Sequence, residues 1–332
     1  NEESLGLTKF GTIFSSVMSK QDHFNQLLQN GKFAALAIDQ GTSLKDIIKE
    51  SKGATFTTKD YFLFKKQIIL NLGIDASSVL FDYDTYLSDP CFRRIETSKI
   101  IAYEDDAYNI DNKSRITLLP KILNQNDEII KDFSAIKFFM YFNPDSDPII
   151  NNEKFKVIKH VGQICKDLDI PYLFEPLLYF DEGAEIEYQR YLLKKPVYIK
   201  YLYKEFSKEE YQIDIIKIEF PFNEAQVKGF ENDGISSIYS YENCSEIMKE
   251  CFENGTTPFV FLSAGMKFNN FLNSLELAKS SKIDFLGFLC GRSIWQDSID
   301  IFCKSGQDSF MDWINLEGKQ RVQKLKNVLI DN

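Results

Sequence analysis

Within the run Asp214-Ile215-Ile216-Lys217-Ile218-Glu219-Phe220, a lysine and a glutamate interrupt residues that otherwise read as a buried strand. Strand side chains alternate, so Ile216, Ile218 and Phe220 share one face and Ile215, Lys217 and Glu219 the other. With the apolar face against a covering layer, Lys217 points inward. The same parity in Ala135-Ile136-Lys137-Phe138-Phe139-Met140-Tyr141 separates Lys137, Phe139 and Tyr141 from Ile136, Phe138 and Met140, and turns Lys137 inward as well. Asp39 follows the run Phe33 to Ile38, and Glu175 follows Tyr172-Leu173-Phe174, so both acids are expected at the carboxyl ends of strands. Two lysines and two carboxylates meeting on one rim suit amine nucleophile chemistry, because a neighbouring cation and partial loss of water lower a lysine pKa toward the neutral form a nucleophile needs. The same spacing also fits a structural ion-pair layer that plugs the mouth of the fold.

Further along, Ser263-Ala264-Gly265 and Cys290-Gly291-Arg292 each follow a β-type apolar run. Glycine leaves backbone N–H groups accessible, a serine adds a hydroxyl, and an arginine can fork onto phosphate oxygens. Taken singly, each glycine could simply make a turn and Arg292 a surface ion pair. Their joint placement after the last two strands favours a phosphate site at Ser263, Gly265, Gly291 and Arg292.

The elements that must position these groups are eight short apolar runs: Phe33 to Ile38, Ser78 to Asp82, Ile100 to Tyr103, Ala135 to Tyr141, Tyr172 to Glu175, Asp214 to Phe220, Pro258 to Leu262 and Phe285 to Leu289. Helical patterns separate them. Phe155, Ile158, Val161, Cys165 and Leu168 recur at helical spacing, as do Phe268, Phe271, Leu272, Leu275 and Ala278, and each set forms one apolar stripe. No Pro/Gly-rich linker or change of composition divides the chain. The pattern predicts an α/β fold, a single (β/α)₈ TIM barrel over residues 1–332, with residues 1–30 as an N-terminal helical extension. Carboxyl ends of strands form the catalytic rim of that fold, which is where the candidate residues fall.

Composition excludes several classes of function. The chain has 332 residues, 44% of them hydrophobic, enough to bury a large core, and its formal charge of -10 argues against a nucleic-acid surface, which needs a basic face. A small anionic ligand would have to be drawn by local positive charge in a cleft. No apolar run approaches the length of a membrane span. The six cysteines are scattered, with no C-x-x-C pair and no secretory signal ahead of them, so free thiols in a reducing cytoplasm are expected. His23 and His160 are the only histidines and are read as surface residues, Trp295 and Trp313 as packing residues. Two histidines far apart do not suggest a zinc site.

In their order along nearly the whole chain, Ala37-Ile38-Asp39-Gln40, Ile136-Lys137, Phe174-Glu175-Pro176, Asp214-Ile215-Ile216-Lys217-Ile218-Glu219, Leu262-Ser263-Ala264-Gly265 and Leu289-Cys290-Gly291-Arg292-Ser293-Ile294-Trp295 resemble the class I tagatose 1,6-bisphosphate aldolases. The resemblance implies cleavage of a ketohexose 1,6-bisphosphate to dihydroxyacetone phosphate and glyceraldehyde 3-phosphate, with no metal and no cofactor, in the use of tagatose or lactose. Lys217 would form the Schiff base, Glu175 would shuttle protons, and Lys137 would keep Lys217 uncharged and orient the intermediate. Asp39 and Gln40 would bind substrate hydroxyls; Ser263, Gly265 and Arg292 would hold the 1-phosphate, with Gly291 beside them. The implied partner is a small sugar phosphate. A homo-oligomer, dimer or tetramer, is left open. The family usually has an Arg and a Gly after Asp-Gln, where this chain has Gly41-Thr42, and Glu-Lys-Thr-Gly-Tyr-Asp after the third strand, where this chain has Glu104-Asp105-Asp106-Ala107-Tyr108-Asn109. The missing positive charges make a related substrate such as 6-deoxy-6-sulfofructose 1-phosphate one alternative. A sugar-phosphate-binding regulatory protein with weak turnover is the alternative from another class.

Overall fold

In a computed structural model, which describes residues 18–121, 123, 128–180, 185–231 and 237–330, eight parallel strands close into a barrel in sequence order. They are β1 (Phe33–Ala37), β2 (Ser78–Phe81), β3 (Ser98–Ala102), β4 (Ala135–Phe142), β5 (Tyr172–Leu178), β6 (Ile215–Ile218), β7 (Phe259–Phe261) and β8 (Gly287–Cys290). Pairing of Phe33 with Gly287 and of Leu36 with Cys290 seals β1 to β8. The fold is the expected (β/α)₈ barrel. All eight runs form strands, but β5 continues to Leu178, so Glu175 lies within the strand opposite Phe139 of β4 and not at its carboxyl end.

Alternation along the strands builds two cores. Ile136, Phe138, Met140, Ile216, Ile218 and Phe220 face outward into a layer shared with the helices, and the stripes on helices Pro148–Asp167 and Phe268–Ser280 pack there. Ala35, Ala37, Ala102, Ala135, Leu173, Ile215, Val260 and Leu289 fill the barrel interior. The inner residues are smaller because each layer of the barrel interior has room for only four side chains, drawn from alternate strands.

Helix Lys20–Gln26 begins with a Ser19/Asp22 capping box, and Phe24, Leu27 and Leu28 close the inner core from the amino-terminal side. Lys20 pairs with Asp214 just before β6 at 2.7 Å. This helix lies within residues 1–30, for which a helical extension is expected; positions 1–17 lie outside the described residues.

The rule of one helix between successive strands fails between β3 and β4. Among the described residues that connection carries only the 3₁₀ turns Ala107–Asn109 and Glu128–Asp132. Its acids bond the local backbone instead: Asp106 accepts from Tyr108 N at 3.0 Å and Asp111 from Ser114 N at 2.8 Å. Such side-chain caps offer the backbone an alternative to a helix.

Candidate active site

Parity carries Lys217 and Lys137 into the barrel with Ile215 and Ala135, and both amines end in a buried ionic cluster at the mouth. Lys137 Nζ lies 2.6 Å from Glu104 Oε1, 3.0 Å from Asp39 Oδ2 and 3.0 Å from Glu175 Oε2. Glu175 extends its other oxygen, Oε1, to Lys217 Nζ at 2.8 Å. One carboxylate from β5 therefore bridges an amine on β4 and an amine on β6. Lys217 is 5% exposed and Lys137 3%, so neither amine is dispersed in bulk water.

Burial and charge set the ionisation of the cluster. Burial alone would raise the Asp39 carboxyl, but the charges of Lys137 and Lys217 overcome it and hold the group at about 2. For Glu175 burial is again the largest influence, and Lys137 and Lys217 again outweigh it, so the group stays below the usual carboxylate range. Burial opposes the charge on Lys137, yet Asp39, Glu104 and Glu175 together keep it well above the ordinary lysine value, a fixed ammonium ion.

Glu104 goes the other way. Its burial dominates, and with Asp39 and Glu175 adding like charge it is pushed up to about 7 against the attraction of Lys137. The unfolded chain releases this proton near 4.5, whereas the folded protein keeps it to about pH 7. This group's contribution to stability is accordingly present below pH 4.5 and is lost as pH rises through 7. Glu104→Gln, which has the shape of the protonated acid, is expected to flatten that decline. Urea midpoints measured on both sides of the window test it, and equal losses in the two proteins would refute the assignment.

A cavity of about 410 Å³ opens over the cluster. Asp39, Gln40, Lys137, Glu175, Lys217, Ser263, Gly291 and Arg292 line it, as does Glu104. Gly265 is the one expected contact residue not found on its wall. Gly265 has φ +81°, which favours glycine, and a Cβ there would stand 3.3 Å from the Arg292 guanidinium carbon, so the turn lies close against that side chain. Gly291 permits another close approach, since a Cβ would meet the Ala37 carbonyl at 2.2 Å. Trp295 fastens the same joint by donating Nε1–H to that carbonyl at 3.0 Å. The side-chain Oε1 of Gln40 is buried without a hydrogen-bond partner among the described residues, which leaves an acceptor for a ligand.

Sequence reasoning missed one part of this wall and one group behind it. Glu104 stood only in a loop that departs from the expected pattern, although its place two residues past β3 mirrors that of Asp39 after β1. Lys65 is fully buried on helix Thr58–Leu72, ion-paired with Asp82 and 2.8 Å from Thr85 Oγ1. A lysine within the apolar stripe of Tyr61, Phe64 and Ile68 was the available signal. His160 is exposed as expected, but His23 is only partly so. Among the described residues no three His, Cys, Asp or Glu side chains are disposed to hold a metal ion, and no helix is long and apolar enough to cross a membrane.

Residues 33–297 match the family model described as DeoC/LacD family aldolase. A protein of Listeria innocua named tagatose 1,6-diphosphate aldolase is 32% identical over 307 residues, covering 92% of this chain and 90% of the relative. The tagatose 1,6-diphosphate aldolase 2 of Enterococcus faecalis is 32% identical over 304 residues, covering 91% and 90%. Among solved structures, fructose-bisphosphate aldolase from Plasmodium falciparum, crystallised with TRAP and a small-molecule inhibitor, superposes with a TM-score of 0.71 over 92% of each chain. At 12% identity that likeness is one of fold.

Proposed function

The chain belongs to the DeoC/LacD family and is an aldolase, and from that footing we propose that it works through an imine on Lys217, splitting a ketose that carries a phosphate on C1. The observation that carries this reading is the bridge formed by Glu175, one carboxylate within hydrogen-bond reach of both Lys217 and Lys137 on the floor of a cavity. A proton acceptor 2.8 Å from an amine is the arrangement an amine nucleophile requires.

In the proposed sequence Glu175 takes a proton from Lys217, whose free amine adds to the C2 carbonyl of the ketose. Proton transfer through Glu175 releases the C2 oxygen as water and leaves a protonated imine. The C4 hydroxyl then gives its proton to Glu175, the C3–C4 bond breaks, and its electron pair passes into the imine to form an enamine. An aldehyde departs. Reprotonation at C3 and addition of water return the amine and release dihydroxyacetone phosphate. The positive nitrogen accepts the electron pair, which is the electrophilic work the bond cleavage needs. Lys137 keeps Glu175 and Asp39 ionised and fixed, while Asp39 and Gln40 are placed to bind hydroxyls. Ser263, Gly291 and Arg292 supply the hydroxyl, backbone and cation for the C1 phosphate. Tagatose 1,6-bisphosphate, for which the relatives are named, belongs to this class of ketose phosphates.

Borohydride reduction in the presence of dihydroxyacetone phosphate is expected to attach the ligand irreversibly to Lys217, read by mass spectrometry of the peptide. Folded protein that takes up no ligand, or takes it up on another lysine, would overturn the proposal.

A further inference from the structure

The wall across the mouth from Lys217 has the opposite electrostatic character to the phosphate loops. In an eight-stranded barrel β2 stands opposite β6, and the segments after β1, β2 and β3 close that side of the cavity. Asp82, Asp84, Asp105 and Asp106 line it. Three lysines answer them: Lys65 behind the wall pairs with Asp82, Lys121 pairs with Asp105 at 3.2 Å, and Lys45 lies close enough to Asp84 to act on its charge, so Asp106 is the aspartate held by backbone and hydroxyl donors and not by a lysine.

Helix Thr42–Lys52 points its amino terminus into this side, with Gly41 as a cap that has no side chain to contribute. Exposed N–H groups at such an end of an 11-residue helix would attract an anionic group of a ligand. Here the place is already filled. Asp106 Oδ2 accepts from Thr42 N at 2.8 Å and from Thr42 Oγ1 at 2.6 Å. Its other oxygen is held by Tyr108 N at 3.0 Å. A Cβ on residue 41 would stand 2.5 Å from Asp106 Oδ2, so glycine at this position leaves the space the carboxylate occupies.

We propose that the substrate carries no phosphate at the end remote from C1: the chain splits a ketose monophosphate, and the aldehyde it releases is uncharged and bears hydroxyls. This rests on the imine reading, which puts C2 at Lys217 and the C1 phosphate beside Arg292, so that the later carbons extend toward Asp84 and Asp106. A second phosphate there would displace a carboxylate from its donors or lie against it, whereas hydroxyl groups can donate to the same oxygens. The bond broken is C3–C4 as above, and no co-reactant is added.

The test runs in the synthetic direction with the whole chain. Trapping of dihydroxyacetone phosphate by borohydride comes first, because its failure sinks the imine reading and not the aldehyde preference alone. With trapping established, dihydroxyacetone phosphate is offered with D-glyceraldehyde or with D-glyceraldehyde 3-phosphate. We expect kcat/KM for the neutral aldehyde to exceed that for the phosphorylated one by about tenfold or more. Asp106→Ala, which frees the Thr42 N–H, should move the ratio toward the phosphorylated aldehyde by about the same factor. Equal use of the two aldehydes, preference for the phosphorylated one, or addition to neither overturns the proposal, as does an unchanged ratio in folded Asp106→Ala. Should that variant not fold, the preference of the unaltered protein decides the matter.

Discussion

Lys217→Ala is expected to lower aldol cleavage by about 10⁴-fold or more, with borohydride trapping abolished, because removing a covalent nucleophile removes the whole route and not one contact along it. Its effect on stability separates chemistry from architecture. Glu175 keeps its 3.0 Å contact with Lys137 when Lys217 is gone, so its carboxylate does not become an orphan charge. A loss of less than about 2 kcal/mol is therefore expected. If Lys217 served chiefly as one half of a buried structural pair, its removal would cost about 3–5 kcal/mol. Urea unfolding beside a cleavage assay measures both quantities, and a variant that still cleaves would end the case for the imine.

Lys137→Met should be the most destabilising single change at this site. The methionine fills similar volume but leaves Asp39, Glu104 and Glu175, all within 3.0 Å of the lost ammonium, facing one another with Lys217 as the remaining cation. Breaking a buried ion pair by deleting one partner costs about 3–5 kcal/mol, and here Asp39 and Glu104 lose their ion-pair partner together while Glu175 keeps only Lys217. The steepness of the pH dependence, compared with the parent in which Glu104 is the raised carboxyl of the cluster, identifies the cause. Carboxylates stripped of their cation hold protons more tightly in the folded state than in the unfolded chain, so the variant should regain stability as the pH falls toward 5 and lose it as the pH rises. The unaltered protein has Asp39 shifted in the opposite direction, down to about 2. A Lys137→Met protein as stable as its parent at pH 8 would show that the cluster is held by something other than this ammonium.

Much of the barrel is legible in the chain because its rules are local. A period of two in Ile215 to Phe220 and in Ala135 to Tyr141 states which side chains share a face, and parallel strands with both faces covered must be apolar except where a charge has a partner. The faces of Lys137 and Lys217 could be assigned without knowing what lay near them. Glycines at 265 and 291 marked accessible backbone or a turn, whereas the close approach of residue 291 to the Ala37 carbonyl and of residue 265 to the Arg292 side chain came from the tertiary structure.

What the sequence determined by itself was periodicity, and hence the barrel, the inward parity of two lysines and the order of the loops on the rim. Tertiary structure alone decided which charges meet. Glu104 reaches Lys137 across 33 positions and Asp39 reaches it across 98, while Asp106 closes on Thr42 from 64 residues away. Local propensity carries no information about such distances. Coulomb attraction in a buried site depends on separations of a few ångströms, and the closed ring of strands that sets them is a property of the whole chain.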